Sequence, residues 1–349
     1  MRKAIGIMLL FSLMSCYQNP YFDADKMHHT SKGFQNIPPS PKKGWKQMLR
    51  WRKERKSGMT TAPTWPEVSP FEVVKPDTVI YSKNPSTKSI TWFGHSTVLI
   101  QVAGKLILTD PHFADYASPV TFAGPKRYTT TPIPIAKLPH IDYILISHDH
   151  YDHLDGPSLK ALIQKQQDQQ PHFLVPLGYK KWLQKRGATR VTEMDWWETF
   201  TEGAFSFHST PVQHWTRRTL LDHNRRLWSG WAIETTDFKF YFTGDSGYTD
   251  WFKEIGQKLG PFDVSAIPIG AYNPRWFMKN SHMDVAEAIE THKDLGSRFS
   301  IGIHWGTFIL TDEPLREPPQ MLQNLMQTTQ NQGLPPFVTF KHGQTKIFR

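Results

Sequence analysis

Within ILISHDHYDHLDG, residues 144–156, four residues able to bind a metal ion fall in six positions: His148, His150, Asp152 and His153. His148 and His150 lie two apart, so in an extended loop they project the same way, while Asp152 and His153 occupy the next bend and face a neighbouring position. Mixed imidazole and carboxylate donors suit zinc and, in principle, iron or manganese. A lone histidine in a polar turn is usually a solvated residue; this spacing, directly behind an apolar run, is a ligand pattern. Three later residues of the same chemistry, His214, Asp245 and His304, each stand where a predicted strand runs out into a loop. Seven donors exceed the needs of one tetrahedral zinc ion and fit two metals that share Asp245 and a bridging hydroxide, a hydrolytic arrangement. The division that follows puts His148, His150 and His214 on one metal and Asp152, His153 and His304 on the other.

Strands must bring these residues to one place. The apolar residues 141–146 read as a buried strand, and Leu154-Asp155-Gly156-Pro157-Ser158 reads as a turn opening a helix over 158–167. Upstream, residues 89–102 and 105–109 read as two strands joined at Ala103-Gly104. His95 falls in a loop between Gly94 and Ser96 with a structural role, and Asp110 either supports the metal loop through hydrogen bonds or caps a turn. Further strands are predicted at 173–176, 190–193, 204–210, 228–234, 239–243, 264–269 and 300–304, with helices at 177–186 and 284–295. Strands recur while helices separate only some of them, which predicts a mixed α/β body with two sheets.

The chain of 349 residues is 38% hydrophobic and 13% aromatic, with 13 Trp, which excludes the disordered class. Its net charge of +10 attracts polyanions, nucleic acid or anionic lipid headgroups. The single cysteine, Cys16, excludes an intramolecular disulfide. Met1-Arg2-Lys3 forms a basic start and residues 4–14 an apolar run too short to span a bilayer. Leu13-Met14-Ser15-Cys16 then resembles a bacterial lipoprotein cleavage box, which makes Cys16 the lipidated first residue of the mature chain. An ordinary secretory signal and an uncleaved anchor are the alternatives. Residues 1–16 are thus read as a lipoprotein-type signal peptide, 17–75 as a polar, Pro-rich tether and N-terminal extension, and 76–349 as one catalytic domain. Within the extension, residues 44–56 form a basic amphipathic helix with Trp45, Met48, Leu49 and Trp51 as apolar members. It either packs on the body, the favoured reading, or lies on an anionic membrane surface.

The HxHxDH pattern followed by His, Asp and His at strand ends resembles the metallo-β-lactamase superfamily. WFGHSTVLI, LTDPHF, GPKRY, LISHDHYDHLD, VPLG, DWWE, QHWTRRTL, FTGDSGY, EIGQKLGPFD, IPIGAYNPRWFM and IHWGTF together resemble the N-acylphosphatidylethanolamine-hydrolysing phospholipase D family, across roughly residues 89–343. That resemblance implies a four-layer αββα sandwich with metals at one edge of the two sheets. It also implies two zinc ions per chain, the seven ligands above in their order, and release of an N-acylethanolamine and a phosphatidic acid. It places a functional histidine at His282, as stabiliser of phosphoryl charge or donor of a proton to the leaving group. Asp245 and Asp152 join it as catalytic residues. Substrate contacts are expected from Trp215, Arg217, Arg275, Trp276 and Phe277, with Tyr151 lining the site or packing beside it. The partners implied are a phospholipid substrate and a membrane surface met through a lipid anchor and a basic patch, with a homodimer admitted. The protein is then anchored in the bacterial envelope, on the periplasmic side of the outer membrane. Nucleic acid is not expected as a partner, because no binding insertion interrupts 245–304. The rivals are a metallo-β-lactamase-fold hydrolase of another phosphodiester or a lactone, and an inactive envelope lipoprotein, against which the complete ligand set argues.

Overall fold

Near-continuous apolar runs give this chain two sheets buried on both faces, every residue of 97–102, 172–176 and 264–268 being buried. The computed structural model describes residues 18–41, 44–58, 69–76, 78, 81 and 86–348; the signal segment and Cys16 lie outside them. A ribbon of β1 (His29–Thr30) and β2 (Gly33–Phe34) and helix α1 (Trp45–Lys56) come first. The first sheet takes β3 (Lys88–Gly94), β4 (Thr97–Val102), β5 (Lys105–Thr109), β6 (Tyr143–Leu145), β7 (His172–Pro176) and β8 (Val191–Met194), with α2 (Gly156–Lys165) and α3 (Lys180–Gln184) between the later strands. The second takes β9 (Thr199–Glu202), β10 (Phe205–Thr210), β11 (Gly230–Glu234), β12 (Lys239–Phe242), β13 (Val264–Pro268), β14 (Ser300–Ile303) and β15 (Phe337–Thr339). Helices α4 (Trp251–Leu259), α5 (Arg275–Met278), α6 (Val285–Asp294) and α7 (Glu317–Met326) connect its later strands, and β16 (Thr345–Phe348) returns to the edge of the first sheet. Spatial order is β16-β3-β4-β5-β6-β7-β8 in one sheet and β15-β14-β13-β12-β11-β10-β9 in the other.

Side chains of successive residues enter opposite layers. Tyr143 and Leu145 of β6 join the core between the sheets, with Trp92, Phe207, Trp231 and Phe240, whereas Ile144 faces the second core with Leu159, Leu162 and Phe173 under α2. The result is the expected αββα layering. The strand predicted over 89–102 is two strands, β3 and β4, because Gly94 (φ 114°) and His95 (φ 49°) reverse the chain between them. A Cβ on Gly94 would lie 2.8 Å from the His342 ring, so only glycine fits that turn.

Residues 18–37 correct the tether reading. His28 and His29 are buried and place their Nε2 atoms 2.7 and 2.9 Å from the two oxygens of Asp195, and Lys26 Nζ lies 2.7 Å from Oδ2. Asn36 donates from Nδ2 to the His214 carbonyl (2.8 Å) and accepts from its amide (3.2 Å). Composition hid this, because the segment attaches through buried polar side chains and a few scattered apolar ones, Tyr21, Phe34 and Ile37, that show no period. Helix α1 packs as favoured, but on one side only: Trp51 lies against Phe277 and Arg55 pairs with Asp312 at 2.9 Å. Among the described residues, no helix is long and apolar enough to cross a membrane.

Candidate metal centre

Parallel neighbours end at the same edge of a sheet, so residues just past their carboxyl ends converge. In the first sheet β5 and β6 run parallel and release Asp110 and the cluster His148–His153; in the second, parallel β12, β13 and β14 release Asp245 after one strand and His304 after another. His214 follows β10. Gly244 (φ 63°) sits where the two edges meet, and a Cβ there would stand 2.6 Å from Ser147 Cβ. Asp245 thereby reaches the first sheet's loop.

All seven predicted donors come together. His148 Nε2 lies 2.9 Å from His150 Nδ1, and His214 Nε2 lies 3.2 Å from the same atom. Asp245 Oδ2 is the hub: His153 Nε2 and His304 Nε2 are 3.1 Å from it, and His148 Nε2 and His214 Nε2 are 3.9 Å away. Asp152 Oδ2 stands 3.4 Å from both His153 Nε2 and His304 Nε2. The expected grouping into a three-histidine set and an Asp152/His153/His304 set is therefore present in space, on either side of Asp245.

The outer hydrogen bonds fix what the inner atoms can do. His214 Nδ1 donates to the Ser281 carbonyl (2.9 Å), and His153 Nδ1 donates to Asp110 Oδ2 (2.7 Å). Ser147 gives its hydroxyl proton to Asp110 at 2.5 Å, so its oxygen accepts from His148 Nδ1 at 2.9 Å. In the neutral ring each of these histidines then turns an unprotonated Nε2 inward. The interior is lined by lone pairs and carboxylate, and His150 Nε2, His153 Nε2, His304 Nε2 and Asp245 Oδ1 are buried with no hydrogen-bond partner. Such a cavity calls for cations, and its nitrogen and carboxylate donors fit divalent transition metals.

Electrostatics separate the two sets. Burial, reinforced for His214 by His150, pushes His150 and His214 down to about 3, and His148 falls well below the usual imidazole range. Burial also opposes charge on His153 and His304, but the carboxylates of Asp245 and Asp152 outweigh it, lifting His304 to about 9 and His153 well above its ordinary value. Asp245 and Asp152 are held well below the carboxylate range, burial being overcome by the same histidines. His95, Asp110 and His304 all adopt positive φ, strain that the surrounding hydrogen bonds hold at this centre.

Sequence reasoning undervalued His95. Its Nε2 lies 3.0 Å from Asp152 Oδ2, its carbonyl accepts from the His304 amide at 2.9 Å, and its own amide donates to Thr307 at 2.7 Å. It thus positions two members of one set at once; the Gly-His break in an otherwise strand-like stretch was its only sequence signal. Removing such an outer partner costs about 10–100-fold in metal affinity or activity. His95→Ala is expected to lose metal from the Asp152/His153/His304 set while the three-histidine set keeps its ion. Stoichiometry should fall towards half, with partial recovery in His95→Gln; unchanged stoichiometry and activity would sink the assignment.

The other expected residues are distributed unevenly. His282, its side chain 14% exposed, sits with Nδ1 3.8 Å from Asp245 Oδ2. Asp284 caps α6 and Glu287 bonds back to its amide, so His282 is held just ahead of a fixed helix start. Arg275 is corrected from substrate contact to support: its guanidinium pairs with Glu287 at 2.6 Å and Asp284 at 3.4 Å and donates to the His282 carbonyl at 2.8 Å. Phe277 is buried against Trp51. Trp276 is 39% exposed, under the Arg50 guanidinium. Trp215 packs edge-on to His150, Tyr151 donates to the Arg218 carbonyl (2.9 Å), and Arg217 is exposed beside them.

A fold of two packed mixed sheets with this buried His/Asp centre on one edge defines a metal-dependent hydrolase. A beta-lactamase superfamily domain matches residues 105–305. The chain is 46% identical over 265 residues to N-acyl-phosphatidylethanolamine-hydrolyzing phospholipase D 1 of Caenorhabditis elegans, covering 73% of this chain and 74% of that one. It is 37% identical over 244 residues to the mitochondrial enzyme of that description from Saccharomyces cerevisiae, covering 68% of this chain and 51% of the yeast protein. Igni18, a metallo hydrolase from Ignicoccus hospitalis, superposes with a TM-score of 0.56 at 20% identity, over 75% of this chain and 99% of its own. The chain belongs to the beta-lactamase superfamily and, within it, to the N-acylphosphatidylethanolamine-hydrolysing phospholipase D family.

Proposed function

We propose that this protein is a zinc-dependent phosphodiesterase that hydrolyses N-acylphosphatidylethanolamine to N-acylethanolamine and phosphatidic acid. The observation that carries the reading is the convergence of six His and Asp side chains around Asp245, in a chain that is 46% identical over 265 residues to a relative described by that activity. His148, His150 and His214 would hold one zinc, Asp152, His153 and His304 the other, with Asp245 shared. When bound, two such ions supply Lewis-acid charge to phosphoryl oxygens and lower the pKa of water enough for attack at neutral pH.

The chain's own residues do the rest. Asp245 orients the attacking water, and Asp152 keeps its carboxylate fixed through His95. Water oxygen bonds to phosphorus and gives a proton to the Asp245 carboxylate as the bond from phosphorus to the ethanolamide oxygen breaks, and the His282 imidazole hands its proton to that leaving oxygen. Arg275 and the α6 cap keep His282 in place. Trp215, Trp276, Arg217 and Tyr151 border the approach to the centre and are assigned to headgroup and acyl contacts. The same reading carries the lipid anchor at Cys16, the periplasmic face of the outer membrane as location, and a homodimer as the oligomer.

The test is turnover on N-acylphosphatidylethanolamine in mixed micelles, beside a generic phosphodiester, a lactone and a β-lactam. Release of N-acylethanolamine supports the reading; metal-dependent turnover of only another ester overturns the substrate. His282→Gln is expected to lose about 10²–10⁴-fold on the ethanolamide but much less on a nitrophenyl phosphodiester, whose leaving group needs no proton. Equal losses on both would remove His282 from proton donation.

A further inference from the structure

Away from the metal centre, a second group of donors of the same chemistry converges. His28 Nε2, His29 Nε2 and the Asp195 carboxylate lie within 4.8 Å of one another, where the N-terminal ribbon meets the turn between β8 and β9. The two imidazoles stand 2.7 and 2.9 Å from separate oxygens of Asp195, and all three residues are buried. Aromatic neighbours fix both rings: Trp196 stacks on His28 with centroids 4.4 Å apart, and Phe34 meets His29 edge-on at 5.1 Å. The rings stand at 86° to each other, so they approach the one carboxylate from different directions.

The outer hydrogen bonds resemble those of the centre. His29 Nδ1 lies 2.8 Å from the Tyr21 carbonyl, which takes its proton, and 3.2 Å from the Asp23 amide, the longer contact of the two. A neutral ring that gives its Nδ1 proton to a carbonyl turns an unprotonated Nε2 the other way, as metal-ligating histidines do. That lone pair then faces a carboxylate oxygen at 2.9 Å, and either a second proton on the ring or a metal ion must relieve the contact. Asp195 also accepts from the Trp196 amide (2.8 Å) and from Lys26 Nζ (2.7 Å). Burial would raise its carboxyl, but hydrogen bonds from His28 and Lys26 outweigh it and hold the group below the usual carboxylate range. Lys26 is the exchangeable member, with 38% of its side chain exposed against 9% and 2% for His28 and His29. Two imidazoles and a carboxylate, with water as a fourth ligand, are a zinc donor set.

We propose that His28, His29 and Asp195 form an accessory zinc site, in which the ion displaces the Lys26 ammonium and ties the N-terminal ribbon to the turn after β8. Competition from that ammonium keeps the ion exchangeable, and Lys26 holds the same carboxylate when the ion leaves. Asn36 of the same segment grips the His214 backbone, so the ion also braces the loop that carries one ligand of the centre. The accessory site goes beyond the phosphodiesterase reading and does not rest on it.

The experiment is a calorimetric zinc titration of the full chain with its centre already loaded. One further ion per chain is expected, lost in His29→Gln and bound about fivefold or more tightly in Lys26→Met, where the competing ion pair is gone. Added zinc should raise the melting temperature of the loaded parent, and raise it less in His29→Gln. A cluster that is only a hydrogen-bonded clamp would gain no zinc affinity in Lys26→Met, and that result overturns the proposal. So does equal uptake by the parent and both variants, which would put the extra zinc on other surface histidines. If His29→Gln fails to fold, the comparison of Lys26→Met with the parent decides alone. Absence of turnover on every phosphodiester removes the functional reading and leaves the zinc count of this site unchanged.

Discussion

Asp245→Asn is expected to lower phosphodiester turnover by at least about 10³-fold with the fold intact. Asn keeps the volume of the side chain, so packing at this fully buried position survives, but it removes the one carboxylate that faces both ligand sets. Asp245 Oδ2 stands 3.1 Å from His153 and His304 and 3.9 Å from His148 and His214, so its charge is what allows a positive ion on either side. Without it two ions would face each other unscreened in a buried site. Metal content should drop to one ion or fewer per chain while circular dichroism stays that of the parent. A variant that keeps two ions and a tenth of the activity would show that Asp245 is a spectator.

Metal loading of the apo protein is expected to be stepwise and to depend on pH in one step only. His148, His150 and His214 are already neutral at neutral pH, since burial has pushed His150 and His214 to about 3 and His148 well below the usual imidazole range. An ion binds them without displacing protons. His304, raised to about 9 by its carboxylate neighbours against the cost of burial, and His153, raised in the same way, are protonated at neutral pH. An ion at their set must expel those protons, so its affinity rises as pH rises towards 9. One displaced proton makes this about a hundredfold between pH 6 and 8, and a second steepens it. The charge of the first ion, by repelling the same protons, softens the dependence. Calorimetric titration in two buffers of different ionisation enthalpy reads the protons directly. A single step without proton release would contradict the assignment of charge between the two sets.

The N-terminal segment gives the centre a support that neither ligand set contains. Asn36 holds the backbone of His214 at both its amide and its carbonyl, and the Asp195 clamp on Lys26, His28 and His29 holds the segment itself. A loop carrying one ligand is thus braced from outside the two sheets, which limits its freedom to drift away from the His148 cluster.

The ligand types, their division and the strands that deliver them were legible in the sequence. The signals there are local: HxHxDH lies within six residues, and strand period and loop boundary can be read from nearest neighbours. The two-sheet α/β body followed from the recurrence of strands, and the αββα layering from the resemblance to the metallo-β-lactamase superfamily. What only the tertiary structure decided is how distant polar groups meet. His95 looked like a turn residue until folding set it beside Asp152 and His304, 57 and 209 positions away. Arg275 looked like a free cation beside aromatic residues until α6 brought Asp284 and Glu287 onto it. Residues 18–37 looked like a tether because their attachment is a few buried hydrogen bonds to Asp195 and His214 and scattered apolar contacts through Tyr21, Phe34 and Ile37, with no apolar period to announce it. Hydrophobic burial writes a repeating pattern along a chain, whereas a hydrogen bond between remote side chains needs only one residue at each end and leaves no trace in either neighbourhood.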